Sequence, residues 1–92
     1  MALHNYALLE LKINSLLKLN SATFTQSERK EVDELKGFGE YGLALQTFLG
    51  VVLEEGKSIS AETLSIVEEL ITLMDMSDEI DLERFRHLIH PD

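Results

Sequence analysis

The chain has 92 residues, 45% of them apolar, no cysteine and a formal net charge of −9. At that length folding buries only roughly 60–65% of the unfolded surface, so there is little core for a deep substrate cavity, and the absence of thiols excludes a disulfide framework, a thiolate metal site and a cysteine nucleophile. The apolar share is too high for a disordered chain, no window holds the ~20 apolar residues of a membrane span, and Met1–Leu19, interrupted by Glu10, Lys12 and Lys18, does not read as a signal peptide.

The periodicity predicts five helices in one domain. The first runs from Leu3 to Leu19, with Tyr6, Leu9, Ile13 and Leu16 at helical spacing, Leu17 beside them, and Leu8 and Leu11 widening the stripe. Lys18 complements the dipole of its last turn. The second opens on Thr25-Gln26-Ser27-Glu28, a capping box. It turns Val32 and Leu35 inward, and Gly37 is expected to end it with a positive φ.

The third helix, Glu40 to Glu55, is apolar on nearly every side, the pattern of a central helix covered by its neighbours. Its Gly42 and Gly50 each cost about 1 kcal/mol relative to alanine, which is accepted where another helix comes close; Gly56 caps its end. The fourth starts at Ser60, an N-cap, with Glu62 in the first turn. Leu64, Val67, Leu70, Ile71 and Met74 form its core face, and Glu62, Ser65, Glu68, Glu69 and Thr72 the opposite one. The fifth is expected over Asp78–Ile89, with Leu82, Phe85 and Ile89 on one face and Pro91 as the stop. No segment reads as a strand. The expected fold is a compact all-α bundle of four to five helices.

The charge is unevenly placed. Residues 1–53 carry six acids against five bases, whereas residues 54–83 carry ten acids against Lys57 alone. Such a field repels nucleic acid, whose binding depends on neutralising phosphates. It attracts a basic protein and speeds encounter with it, and it also serves solubility.

Little else reads as chemistry. Asp75-Met76-Ser77-Asp78-Glu79-Ile80-Asp81 invites a calcium loop, but Ile80 stands where the loop needs glycine and Arg86 where it needs glutamate. His87 and His90 lie three apart with only Glu83 as a third ligand, and His4 reads as a surface residue. There is no nucleophile elbow or phosphate loop. No catalytic residue, metal site or cofactor is expected.

A binding surface is what remains. On a helical wheel Glu62, Ile66, Glu69 and Leu73 fall on one stripe, where acids alternate with large apolar groups. Together with Glu68 on the same helix and Glu54-Glu55 at the end of the third, these are the candidate partner-binding residues. The competing assignment for Ile66 and Leu73 is packing under the first or the fifth helix.

Gly39-Glu40-Tyr41-Gly42-Leu43-Ala44-Leu45, then Leu53-Glu54-Glu55-Gly56, then Ile59-Ser60-Ala61-Glu62, form a run within residues 34–66. This run resembles the MafI-family immunity proteins of bacterial toxin systems. The resemblance implies a cytoplasmic protein, made beside a secreted polymorphic or contact-dependent toxin, that binds and neutralises it. Such toxins are often ribonucleases, including ones with an EndoU-like fold. A nuclease is basic around its RNA cleft, which an acidic antagonist could cover directly or inhibit from beside. The implied partner is a cognate toxin domain, with no nucleic acid and no membrane. Two other readings compete. One is a helical adaptor or homodimeric module using the Leu8–Leu11 stripe. The other is an acyl carrier protein, to which Thr63–Leu70 is loosely similar, although the Asp-Ser-Leu attachment triplet reads Glu62-Thr63-Leu64 here.

Overall fold

The computed structural model describes residues 6–89. Over that range the chain forms α1 (Tyr6–Leu19), α2 (Gln26–Gly37), α3 (Tyr41–Glu55), α4 (Ala61–Leu73) and the single-turn α5 (Glu83–Arg86). No strand occurs among the described residues; Ile59 and Ile89 meet in an isolated parallel bridge, with the Ile59 N–H donating to the Leu88 carbonyl at 3.0 Å. The all-α architecture expected from periodicity is present. Leu3 and His4, assigned to the first helix and its surface, and His90 and Pro91, assigned to the last turn, lie outside the described residues, and so does the His87–His90 pair.

Local signals set the helix ends. The Thr25 hydroxyl accepts from the Glu28 N–H at 3.1 Å and the Glu28 carboxylate accepts from the Thr25 N–H at 2.8 Å, completing the capping box. Ser60 Oγ accepts from the Thr63 N–H at 3.0 Å. At the other ends, α2, α3 and α4 close with a left-handed residue whose successor bonds back into the helix: Gly39 (φ 78°), Gly56 (φ 63°) and Asp75 (φ 55°). Gly37 is the last residue of α2, as expected, but it keeps a helical conformation, and the positive φ falls two residues later at Gly39.

Packing departs from the sequence reading in three further places. First, α3 packs most heavily on α2 and also on α1, but it is not covered on every side. α3 buries Ala44, Leu45, Phe48, Leu49 and Val52 but leaves Leu43 48% exposed, so it is amphipathic and not enclosed. Its uniform apolarity had concealed which side faces out. Second, the close approach at Gly42 comes from a loop: a Cβ there would lie 3.3 Å from Met76 Sδ. Around Gly50 the space is open, so no close neighbour accounts for that glycine.

Third, the last helix is one turn instead of three. Met76 is buried in the core, and its carbonyl accepts from the N–H groups of both Glu79 and Ile80, which spends residues 76–80 on turns. Asp81 Oδ1 then accepts from the Glu83 N–H at 3.1 Å and starts α5 late. Phe85 is buried as expected, while Leu82 and Ile89 are half-buried.

Loop residues complete the core. Phe24, between α1 and α2, stacks on Phe48 of α3 at 4.7 Å with the rings 11° apart. Asn20 is buried at the end of α1, where its Nδ2 donates to the Leu16 carbonyl at 2.8 Å and to Thr63 Oγ1 of α4 at 3.2 Å. The described chain has a radius of gyration of 12.3 Å, matching the ~12 Å of a compact chain of this length.

Candidate interaction surface

The residues predicted to bind a partner fall into three groups. Glu68, Glu69 and Leu73 come together with Leu8, Lys12 and Ser65 around a groove of about 510 Å3 between α1 and α4. Glu62 is exposed in the first turn of α4, and Ile66 is half-buried against the core; neither lines the groove. Glu54 and Glu55 are exposed in the last turn of α3.

Two of these acids already hold cations. Glu69 pairs with Lys12 of α1 at 3.1 Å, and Glu68 faces Arg86 at 3.7 Å. Solvent screens the exposed Glu68–Arg86 pair, and Glu69 is half exposed, so both are weak surface pairs and a partner's cation could replace either at small cost. Arg86 is also held at 2.6 Å by Glu83, whose hydrogen bond and charge keep the guanidinium charged.

The other acids of residues 54–83 are uncompensated. Among the described residues Glu54, Glu55, Glu62, Asp75, Asp78, Glu79 and Asp81 form no ion pair. Lys57, the single base of that stretch, faces inward. Its Nζ donates to the Thr23 carbonyl at 2.8 Å, pairs with Glu28 at 3.2 Å and lies 5.2 Å above the Phe24 ring. The hydrogen bond from the Thr25 backbone, and then the Lys57 charge, hold the Glu28 carboxyl below its ordinary value.

The helix ends show the same imbalance. α1 and α2 finish on Lys18 and Lys36, as their dipoles favour. α3 finishes on Glu54-Glu55, and α4 is followed by Asp75; neither has a base in its last turn. Acids at these ends oppose the helix dipole and cost stability.

A second surface was missed from the sequence. Phe38, in the turn between α2 and α3, is 80% exposed, and Leu43 stands exposed on the next turn of chain. Tyr41 stacks on Tyr6 at 5.7 Å. Leu43 joins Gly39, Glu40, Tyr41, Gly42, Met74 and Met76 around a hollow of about 270 Å3, which Phe38 does not line. The available signal was Gly37-Phe38-Gly39: an aromatic between two glycines has no helical neighbour to cover it.

Among the described residues no three acids or histidines cluster as a metal site. Nor is any helix among them long and apolar enough to cross a membrane. Compared with protein-family models, curated proteins and solved structures, the chain matches none.

Proposed function

We propose that the chain is a cytoplasmic immunity protein of the MafI type, which binds a cognate bacterial toxin and neutralises it in a stoichiometric complex. The toxin is a basic protein, best read as a ribonuclease, and the acids of residues 54–83 cover its cleft or the rim beside it. No catalytic residue, cofactor or metal is assigned.

The observation that carries this reading is the placement of Glu54, Glu55 and Asp75 at helix ends where they oppose the dipole, forming no ion pair among the described residues. A surface selected for stability or solubility alone would place acids at the starts of helices, as at Glu62. Where a chain breaks a local rule without internal compensation, the gain lies in what it meets.

The test is co-expression with a toxin domain, which this reading expects to be encoded beside the gene. Wild-type protein should restore growth and co-elute with the toxin as a 1:1 complex whose affinity falls with salt. Absence of both rescue and complex would remove the reading. Glu55→Lys is the diagnostic variant. It should raise stability by roughly 0.3–1 kcal/mol, because it corrects the end of α3, and should weaken the complex about tenfold or more. A variant that is stabilised and binds as tightly as wild type would show that these acids do not face the toxin.

A homodimeric module is the second reading, favoured by Leu11 of α1, which is 62% exposed. A dimer in sedimentation that Leu11→Ser dissociates, together with failure to neutralise the neighbouring toxin, would select it.

A further inference from the structure

Phe38 is the most exposed large apolar side chain among the described residues. The Schellman turn fixes it there. Gly39 takes φ 78°, its N–H bonds the Lys36 carbonyl at 3.0 Å and the Glu40 N–H bonds the Leu35 carbonyl at 2.9 Å, which swings Phe38 outward. Exposed aromatics of this kind, rimmed by polar groups, are characteristic anchors of protein interfaces.

The charge at this end is negative. Glu40 is the single charged side chain bordering the hollow, and among the described residues it forms no ion pair. It occupies the N-cap position of α3, yet its side chain caps nothing. Asp75 stands between the two methionines of the hollow's wall, exposed and likewise without a cation among the described residues. The nearby Lys36 is committed to Asp33 at 2.8 Å and Asn14 at 2.6 Å.

The opposite end supplies a precedent. There Phe24, stacked on Phe48, and the Glu28 carboxylate jointly hold the Lys57 ammonium. At the open end an aromatic surface and a carboxylate lie together again, and among the described residues no cation lies over Tyr41.

We propose that the surface formed by Glu40, Tyr41 and Leu43 around this hollow is a docking site for an arginine side chain of a basic protein. This deepens the proposed function by naming the contact that would hold the partner. A guanidinium suits the site better than an ammonium. It is flat, weakly hydrated and stacks on aromatic faces, it pairs with a carboxylate through two parallel N–H bonds, and thioethers such as Met74 and Met76 adapt to its methylene stem.

The experiment is a titration of the 15N-labelled full chain with the blocked tripeptide Leu-Arg-Leu, up to about 10 mM, the range in which a single anchored side chain binds. The lysine and citrulline tripeptides serve as controls. Shifts should map to Glu40, Tyr41, Leu43 and Met76. The arginine peptide should bind about tenfold tighter than the citrulline one and measurably tighter than the lysine one. Tyr41→Leu and Glu40→Gln should each weaken binding while leaving the helical spectrum unchanged. Absence of shifts, shifts centred on α4, or equal binding of the citrulline peptide would overturn the proposal. So would concentration-dependent shifts without peptide that Phe38→Ser removes, because the occupant would then be a second copy of the chain. A failed titration beside intact neutralisation of the toxin would sink this site and leave the proposed function standing; peptide binding with no neutralisation would do the reverse.

Discussion

Two stacked aromatic pairs divide the molecule. Phe24 and Phe48 lie 4.7 Å apart, buried, nearly parallel and covered by Lys57. Tyr6 and Tyr41 lie 5.7 Å apart with the rings 23° apart, and Tyr6 is 60% exposed. In the first pair the chain supplies its own cover: a cation, the carboxylate that holds it, and the Asn20–Thr63 bond nearby in sequence. The second pair borders a hollow beside Glu40, which forms no ion pair among the described residues. The same ring chemistry therefore lies in the core in one pair and at the surface in the other. What separates them is burial.

Substitutions should separate the two ends. The largest effect is expected for Phe48→Ala, which removes the fully buried ring: a loss of about 3–5 kcal/mol, seen as a lower urea midpoint and large beside a typical stability of 5–15 kcal/mol. Asn20→Ala should cost about 1–3 kcal/mol in the same measurement, because the buried Leu16 carbonyl and Thr63 hydroxyl each lose a donor. Glu28→Gln should act through pH. The folded carboxyl titrates below its ordinary value of 4.5, so the charged form stabilises the fold above that pH and the benefit disappears as pH falls through the lower, folded-state value. Wild type should thus exceed the variant in stability at pH 7, and the difference should shrink in urea titrations run below about pH 4.5. The smallest effect belongs to Phe38→Ser, expected within about 0.5 kcal/mol of wild type. A substantial loss there would mean that the open end is structural after all, and the contrast would fail.

The elements that sequence reading recovered are those written in local chemistry. Thr25 with Glu28, Ser60, Gly56 and the spacing of Leu64, Val67, Leu70 and Ile71 each act within a turn or two of helix. What it missed depends on distant partners. Phe24, Ile59 and Met76 are loop residues that plug the core, and no period marks a residue whose neighbour is far along the chain. The fifth helix was overextended because burial of Met76 bends the chain before periodicity can act. The acids of α4 were placed correctly on an exposed face, but the cations that meet Glu68 and Glu69 arrive from α5 and α1. At the open end, Tyr41 counted as one more apolar residue of a central helix and Phe38 as part of a connection.

The engagement of Lys57 has a practical corollary. Its side chain is only 12% accessible and its amine is shared among a carbonyl, a carboxylate and a ring. A primary amine so occupied is a poor nucleophile until the loops on either side of it part. Lys18 and Lys30, by contrast, lie open on the surface. Acylating reagents should mark those two within moments and reach position 57 only when the molecule breathes. One half-buried lysine thus serves as an internal clock for how often the loops around it part.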